Sequence, residues 1–231
     1  MVRPFFPYYG SKWNIARHYP PPEFGRVIEP FAGSAAYSTF YNCERVLLVD
    51  ADPVLCETWR YLISASEKDI ENLPLLPEVG DNVDNYDLSP GAKYLIGFWL
   101  NRGSATPKKS RTAYSARTDK AQLNWGTRAK ERIVQQLPLI RKWNVISGPY
   151  TAAPDDIATW FIDPPYGDKG KFYRVKFAAF DQLGLWCRER RGRTIVCEGP
   201  GAKWLPFEPL GSFKTSNGKA DEFVYIQEFA A

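Results

Sequence analysis

Histidine and cysteine, on which many enzymes depend, are scarce in this chain of 231 residues, which has one histidine and four cysteines. The cysteines form no CxxC pair, so neither a disulfide framework nor a zinc site is expected. The single histidine, His18, excludes a Ser-His-Asp hydrolase and any site that needs several imidazoles. The chemistry must therefore use carboxylates, backbone groups, aromatic side chains and a cofactor, without a metal.

Long apolar segments are missing as well. No run of residues is long and apolar enough for a transmembrane helix, and residues 1–7 lack the apolar stretch of a secretory signal. Because 44% of the residues are hydrophobic, the chain can build one core with a small appended lobe. We expect a soluble protein of a reducing compartment that makes no membrane contact.

Positive charge is concentrated in one stretch. Residues 101–142 contain eleven basic and two acidic residues, whereas the rest of the chain contains 19 basic and 24 acidic ones. A basic lobe on an acidic body indicates a polyanionic partner, although a solvated helix face is the alternative. The residues that we expect to bind nucleic acid are Arg102, Lys108, Lys109, Arg111, Arg117, Lys120, Asn124 and Arg128.

Three short apolar segments each end in an acidic residue and predict parallel strands. They are residues 26–29, 45–50 and 158–163. Helices are expected at residues 34–43, 53–66, 91–100, 126–142 and 177–190, a fourth strand at 193–197, a surface loop at 73–90, and a terminal hairpin of 207–214 and 222–229. The pattern predicts an α/β fold whose mixed sheet ends in an antiparallel hairpin.

The acidic strand ends predict a ligand site. Ligands of open α/β sheets bind beyond the carboxyl ends of the strands, where Glu29, Asp50 and Asp163 would converge. Gly33, in the turn after the first strand, would let a ligand approach the backbone closely. Asp50 ends the next strand, where an acid binds ribose hydroxyls in this fold class. Neither a GxGxxG nor a GxxxxGK[ST] motif occurs, so a dinucleotide or a P-loop nucleotide is not indicated.

The segment Asp163-Pro164-Pro165-Tyr166 is the most specific motif of the chain. Two prolines that follow a strand terminate its hydrogen-bond ladder and stiffen the loop. A rigid turn without any catalytic role would also explain them. The Asp163 carboxylate and the Pro164 carbonyl can also accept both hydrogens of an exocyclic amine, while Tyr166 can stack on the ring. Because the prolines fix these acceptors, little reorganisation is needed in the transition state.

These motifs resemble those of a known family. DPPY at residues 163–166 resembles the catalytic motif of amino-methyltransferases that act on nucleic acids. EPFAG at residues 29–33 resembles the cofactor motif of the Dam-type DNA adenine methyltransferases. PYYGSK at 7–12 is similar to that family's aromatic-x-x-Gly-Gly-Lys segment, and LVDAD at 48–52 to its ribose-binding strand end. The motifs also follow the family's order along the chain.

The resemblance implies a Rossmann-like methyltransferase sheet that uses S-adenosyl-L-methionine. A catalytic domain of residues 1–97 and 145–231 would contain a small basic target-recognition lobe at 98–144. The implied substrate is an adenine flipped out of double-stranded DNA and methylated at N6. We expect a monomer or weak dimer in the cytoplasm of a bacterium or a phage-infected cell, with a role in restriction-modification or phage self-protection.

The resemblance also implies roles for single residues. Asp50 would hold the ribose hydroxyls, Gly33 would lie along the methionine moiety, and Tyr166 would stack on the adenine. Lys12 would lie near the carboxylate end of the cofactor or near backbone carbonyls of the site. The implied catalytic residues are Asp163, Pro164, Pro165 and Tyr166. The implied cofactor-binding residues are Tyr8, Gly10, Ser11, Lys12, Glu29, Pro30, Phe31, Gly33, Ser34, Asp50, Ala51 and Asp163.

The chain departs from the family pattern at two positions, and other functions stay open. Ser11 replaces the second glycine of the lysine segment, and Ser34 begins a continuation that usually contains glycine. An enzyme that methylates RNA or the amine of cytosine is one alternative, although cytosine enzymes more often have serine at the position of Asp163. A catalytically silent cofactor-binding protein that binds DNA, or a metabolic α/β enzyme, is another.

Overall fold

The computed structural model describes residues 2–100, 102–117, 124–215 and 218–229. Within these residues the strands are β1 Val27–Glu29, β2 Val46–Asp50, β3 Asn144–Ser147, β4 Ala158–Ile162, β5 Gly192–Glu198, β6 Glu208–Thr215 and β7 Gly218–Phe229. The α-helices are α1 Ala36–Phe40, α2 Pro53–Ser64, α3 Glu67–Glu71, α4 Pro90–Leu100, α5 Ala113–Ala116, α6 Thr127–Gln136 and α7 Phe180–Arg188. Short 3-10 helices are Lys12–Asn14, Ala16–His18, Val83–Asn85, Leu137–Ile140, Tyr150–Ala152 and Gly167–Phe172.

The strands form one mixed sheet in the order β3-β2-β1-β4-β5-β7-β6. Strands β1 to β5 run parallel, and β7 is antiparallel to both of its neighbours. The chain runs from β1 outward to β3 and then returns to β4 on the other side of β1, so the topological switch point lies between β1 and β4. This is the Rossmann-like mixed sheet with a terminal antiparallel hairpin that the sequence predicts.

The central strands are apolar on both sides because the sheet separates two buried clusters. Leu48 and Phe161 pack in a large cluster that includes residues of α2 and α4. Their neighbours Leu47 and Trp160 point to the opposite face and pack in a second cluster with Leu183 of α7. Burial on both faces is what makes these strands short continuous apolar runs.

The first helix is shorter than predicted. The sequence predicts a helix at 34–43, but α1 begins only at Ala36. Gly33 and Ala35 have φ angles of +48° and +46°, in the left-handed region that a right-handed helix cannot contain. The turn between β1 and α1 is therefore an irregular loop with its own backbone geometry.

The region before the missed strand also differs from the prediction. The helix expected at 126–142 ends at Gln136 and continues as the 3-10 helix Leu137–Ile140. Pro138 has no amide hydrogen for the next turn of an α-helix, which accounts for this change. Strand β3 was not predicted, because its residues are only partly buried at the edge of the sheet and form no continuous apolar run.

The segment between α4 and β3 packs onto the same core as the sheet. Trp125, Ala129 and Ile133 are buried in the cluster that also contains Leu95 of α4. The division of the chain at residues 98 and 144 stays a prediction. No helix among the described residues is long and apolar enough to cross a membrane.

Candidate active site

A cleft opens at the carboxyl edge of the sheet, beside the switch point between β1 and β4. Counting the open solvent at its mouth, it encloses about 780 Å³. The residues that the sequence assigns to the cofactor all line it, namely Tyr8, Gly10, Ser11, Lys12, Glu29, Pro30, Phe31, Gly33, Ser34, Asp50, Ala51 and Asp163. Four separate sequence segments therefore meet at one site.

Asp50 is held by backbone amides at the end of β2. Its Oδ2 accepts a hydrogen bond from the Gly33 amide at 3.0 Å, and its Oδ1 accepts one from the Asp52 amide at 2.8 Å. Burial raises the pKa of Asp50 to about 6. A carboxylate has about four acceptor positions, so both oxygens can still accept a hydrogen bond from a ligand hydroxyl.

The turn after β1 is bound to the segment that contains Lys12. The Ser34 hydroxyl donates to the Ser11 hydroxyl at 2.9 Å, so the serines at the two positions that depart from the resembled motifs bond to each other. The Gly33 carbonyl accepts from Trp59 Nε1 at 2.9 Å. A Cβ on Gly33 would lie 3.4 Å from the Tyr8 ring. These contacts fix the narrow part of the cleft.

Glu29 contributes a buried carboxyl to the floor of the cleft. Its Oε1 accepts from the Ser38 amide in α1 at 2.9 Å. Burial raises the pKa of Glu29 to about 7, although the hydrogen bonds from Ser38 oppose this effect. Glu29 therefore connects β1 to α1 and adds an acidic group beside Asp163, which raises the pKa of Glu29 further.

An aromatic wall, which the sequence analysis identified only in part, flanks Asp50. Phe31 stacks on Tyr150 with ring centroids 5.7 Å apart and contacts Phe177 edge-on at 5.2 Å. Tyr150 and Phe177 also line the cleft. The Gly148 amide donates to the Asp50 carbonyl at 2.9 Å, which brings the segment after β3 to this side. The wall suits a flat aromatic ring next to a hydroxyl acceptor.

Lys12 lies in a buried cluster with two carboxylates. Its ammonium nitrogen is 3.3 Å from Asp163 Oδ1 and 2.8 Å from Glu222 Oε1, and it also donates to the Tyr166 hydroxyl. Burial disfavours its charge, but Asp163, Tyr166 and Glu222 together raise the pKa of Lys12 well above its ordinary value. The side chain thus binds acidic groups of the protein itself, and not the backbone carbonyls considered from the sequence.

Glu222 is a site residue that the sequence analysis missed. It is buried on β7, and its Oε1 accepts from the Tyr19 hydroxyl at 2.8 Å. The Tyr166 hydroxyl lies 3.2 Å from its Oε2. One signal was available, because Glu222 is in phase with the buried Val224 on the predicted strand, and an acidic residue at a core position indicates a partner there.

Asp163 faces the cleft directly after β4. Burial raises its pKa to about 7, Lys12 opposes this rise, and Glu222 adds to it. Its side chain is 20% exposed, and the Lys12 contact is to Oδ1. Near neutral pH the carboxyl is therefore partly protonated, and a cation in the cleft would favour the charged form.

The other residues of the DPPY motif differ in whether they face the cleft. Pro165 lines the cleft, whereas Pro164 is buried. The hydroxyl of Tyr166 is bonded to Lys12 and Glu222, and its ring packs so closely on Gly199 that a Cβ there would lie 3.3 Å away. The ring of Tyr166 does not line the cleft in this structure, so the expected stacking face is covered by the protein.

A second missed feature is the rim of the cleft formed by Tyr173 and Arg174. Arg174 Nε lies 3.0 Å from Asp52 Oδ2, which joins the rim to the start of α2. A Cβ on Gly10 would lie 2.0 Å from the Tyr173 hydroxyl, and Gly10 has a φ of +74°. Only glycine fits there, so the position of the rim depends on Gly10.

The predicted nucleic-acid surface needs two corrections. Arg111 is buried and donates to the carbonyls of Ser115 at 2.8 Å and Trp125 at 2.7 Å, and also to those of Leu75 and Leu76. Asn124 is buried too, and its amide donates to the Ser115 carbonyl at 3.1 Å. Both side chains hold the lobe together and are not available for DNA, because burial and these bonds occupy their donors.

The other predicted surface residues are exposed where they are described. Arg102, Lys108, Arg117 and Arg128 lie on the surface of the lobe. Lys109 is exposed as well, but its ammonium is 2.7 Å from Asp84 Oδ2. Lys120 lies outside the described residues. A role of these side chains in binding DNA stays a prediction.

No protein-family model matches the chain, and no curated protein matches it. Among solved structures, the chain is similar to the protein named "Putative methyltransferase yhhF" from Escherichia coli. The TM-score is 0.37 and the sequence identity 8%, over 89% of this chain and 76% of the other. A likeness at this level says nothing about activity, and the fold class rests on the order and direction of the strands.

Proposed function

We propose that this protein is an S-adenosylmethionine-dependent methyltransferase that methylates the exocyclic amine of adenine in DNA. The observation that supports this most is the position of Asp163 and Pro165, which face the same cleft as Gly33 and Asp50. An amine acceptor on a rigid loop thereby lies beside a site with the features of a nucleoside pocket.

The charge of the cleft floor fits the proposed cofactor. Glu29, Asp50 and Asp163 are acidic groups of this floor, and the ammonium of Lys12 is shared between Asp163 and Glu222. Such an excess of buried carboxyl groups favours a cationic ligand. S-adenosylmethionine, when bound, supplies a methyl group that is attached to a cationic sulfonium. Loss of the methyl group turns the sulfonium into a neutral thioether.

The residues of the cleft suggest how each part of the cofactor is held. Asp50 accepts hydrogen bonds from the ribose hydroxyls, and the aromatic wall around Phe31 packs on the adenine ring of the cofactor. Gly33 and the Tyr8 ring leave room for the methionine chain to pass close to the backbone. In this assignment the sulfonium would lie near Asp163.

The proposed catalytic role of Asp163 is to reshape the target amine. The lone pair of the adenine amine is delocalised into the ring, which makes it a weak nucleophile. Asp163 and the Pro164 carbonyl accept the two N–H groups and favour a pyramidal nitrogen whose lone pair points at the methyl group. The proton that the methylated amine has to lose would pass to the Asp163 carboxylate. Lys12 holds Oδ1 of Asp163, which leaves Oδ2 for the amine. Positioning and charge stabilisation account for most of the effect.

The target base has to leave the duplex to reach this site, at a cost of a few kcal/mol. In the proposed complex, Pro165 and Tyr173 flank the base, because both line the cleft near Asp163. Stacking on Tyr166 would require its ring to leave Gly199 and its hydroxyl to exchange the contacts with Lys12 and Glu222. The tyrosine of the motif therefore acts first through Lys12, as part of the support of Asp163.

The test is methyl transfer from labelled S-adenosylmethionine to duplex DNA, followed by mass analysis of the nucleosides. We expect N6-methyladenine from the wild-type protein and a loss of at least about 100-fold for Asp163→Ala. Asp156→Ala is the matched control, because Asp156 lies before β4, outside the cleft. More than a few per cent of residual activity in Asp163→Ala would contradict the assigned role.

The same assay separates the alternatives. Methylated RNA in place of DNA, or N4-methylcytosine in place of N6-methyladenine, would overturn the proposed substrate. Cofactor binding by calorimetry without any transfer would overturn the proposed activity and support a silent cofactor-binding protein. Loss of binding in Asp50→Ala but not in Asp163→Ala would support the division of roles between the two carboxylates.

A further inference from the structure

Arg3 and Arg132 are brought together by a glutamine. The Gln136 side chain accepts from the Arg3 amide at 2.7 Å and donates to the Arg3 carbonyl at 2.9 Å, so it binds the backbone of Arg3 on both sides. Arg132 lies four residues before Gln136 on α6, and residues at this spacing are neighbours on one helix face. The N-terminal segment therefore places Arg3 next to Arg132.

Trp99 brings Arg102 to the same place. The Arg132 guanidinium lies 4.7 Å from the Trp99 ring centroid, and the Trp99 indole donates to the Phe5 carbonyl at 3.0 Å. Arg102 follows Trp99 by three residues, just past the end of α4. Arg3 and Arg102 are both close enough to lower the pKa of Arg132, which lies on Trp99, and we call Arg3, Arg102 and Arg132 the arginine cluster.

The arginine cluster lacks a counterion within the protein. Among the residues that the structure describes, no carboxylate lies within ion-pair distance of any of its three guanidinium groups. Nε of Arg132 is buried without a hydrogen-bond partner in this part of the chain. Burial and then the like charges of Arg3 and Arg102 lower the pKa of Arg132. Grouped positive charge of this kind is unfavourable unless an anion binds to it.

One member of the arginine cluster, Arg102, lies on a segment that contacts the cleft of the proposed active site. The amide of Tyr9, which lines the cleft, donates to the Ser104 carbonyl at 3.4 Å. Ser104 lies two residues after Arg102, a span of at most about 7 Å of chain. A strand of nucleic acid that reaches the cleft on this side would pass over the cluster.

We infer that Arg3, Arg102 and Arg132 bind consecutive backbone phosphates of the duplex DNA whose base enters the cleft. The guanidinium fork matches phosphate oxygens in a bidentate geometry, and the Trp99 ring keeps that of Arg132 in a fixed plane. This inference rests on the proposed function, since it names the partner of the same site. It replaces the buried Arg111 and Asn124 with two residues that the sequence did not single out.

The test compares two double variants of equal charge by their affinity for a DNA duplex across a salt series. Arg3→Gln with Arg102→Gln removes two exposed members of the cluster. Arg45→Gln with Arg191→Gln removes two exposed arginines that precede β2 and β5, at the opposite edge of the sheet from the cleft. We expect the first pair to weaken binding by at least roughly tenfold and to lower the salt slope by about two, close to 0.9 per lost phosphate contact. The second pair should change neither.

A third variant separates binding from folding. Arg132→Met keeps the contact with Trp99 and removes the charge, so we expect weaker DNA binding with an unchanged or higher melting temperature, because the repulsion is relieved. Equal losses in both double variants, or an unchanged salt slope in the first, would overturn the inference. Tighter binding of RNA duplexes through the same arginines would overturn the choice of DNA.

The same variants keep this inference separate from the proposed function. Suppose that the protein binds DNA through the cluster, yet methyl transfer is not detected under any condition. The proposed activity then fails, while the DNA-binding surface stands. If the double variant Arg3→Gln with Arg102→Gln keeps both the wild-type rate of methyl transfer and the wild-type affinity for DNA, the proposed surface fails while the activity stands.

Discussion

The floor of the cleft and the basic lobe differ in how well their charged residues in the sequence indicate a binding site. The acidic strand ends Glu29, Asp50 and Asp163 look unremarkable in a sequence count, yet they meet in one buried site. The segment 101–142 has the strongest charge imbalance of the chain, yet the protein itself occupies many of its cations. Arg111, Lys130 and Arg141 donate to backbone carbonyls, and Lys109 and Lys142 pair with acidic residues.

The difference teaches that position within an element predicts a site better than net charge does. A residue at the carboxyl end of a parallel strand has a fixed location, because the sheet defines that edge. A cation in a loop has no fixed location, and a long side chain can turn inward to satisfy carbonyls as easily as outward.

The sharpest test of the lobe compares a buried cation with an exposed one. Arg111→Met should lower the free energy of unfolding by roughly 3–5 kcal/mol, because several buried carbonyls lose their donor. Lys108→Met should change it by no more than about 0.5 kcal/mol, because Lys108 is exposed. Urea unfolding measures both. Similar values for the two variants would remove the distinction drawn between them.

On the side of the cleft, Asp50→Ala should weaken binding of S-adenosylmethionine by roughly 30- to 100-fold. The physical reason is the net loss of one charged hydrogen bond to a ribose hydroxyl, at about 1.5–3 kcal/mol for a bond to a charged group. Titration calorimetry measures the affinity, and circular dichroism checks that the variant is folded. Asp155→Ala, an exposed residue that pairs with Arg190, is the control. An unchanged affinity would move the ribose to another residue.

Glu29→Gln should remove part of the pH dependence of stability. The folded pKa of Glu29 is raised to about 7 from an ordinary 4.5. Stability from its neutral form is therefore fully present below 4.5 and is lost as the pH rises through about 7. Glutamine keeps the acceptor for the Ser38 amide without the charge. Relative to wild type, the variant should gain roughly 1–3 kcal/mol between pH 5 and pH 8, measured by urea unfolding at both values.

The smallest expected effect is a shift in the pH dependence of activity. Methyl transfer should fall as the pH drops below about 7, because Asp163, with a pKa of about 7, then loses its acceptor form. Glu222 contributes to this high pKa, so Glu222→Gln should move the acidic limb of kcat/KM to lower pH. Glu228→Gln, on the same strand but exposed, should leave the limb in place. An unmoved limb in Glu222→Gln would show that Glu222 does not act through Asp163.

The predictable part of the fold and site has a common physical basis. Strands β1, β2 and β4 agree with the predicted segments within one residue, because each is a buried apolar run that stops at an acidic residue. Glu29, Gly33 and Asp50 line the cleft as the strand ends and the glycine turn predict. The segment that contains Lys12 was predicted only from the resemblance of its motif to a known family.

The remaining part depends on contacts between distant segments. Glu222 reaches Lys12 only because β7 lies next to β5. The sequence of the hairpin indicates that a buried Glu222 needs a partner, but not that the partner is Lys12. The Tyr173 rim depends on a close approach to Gly10. Arg111 turns inward because the loop carbonyls of Leu75 and Leu76 need donors, and a loop sequence does not show which carbonyls lack them.

The participation of β7 in the site has a consequence for biosynthesis. Tyr19 and Glu222 are hydrogen-bonded although they are 203 residues apart, so the support of Asp163 cannot assemble on a nascent chain that still holds β7 in the ribosome. The earlier strands can pair before β7 is available, but until then Lys12 can pair only with Asp163 and not with Glu222. Competence for chemistry should therefore begin only after β7 has left the ribosome, and a translation product stalled before that point should be inert.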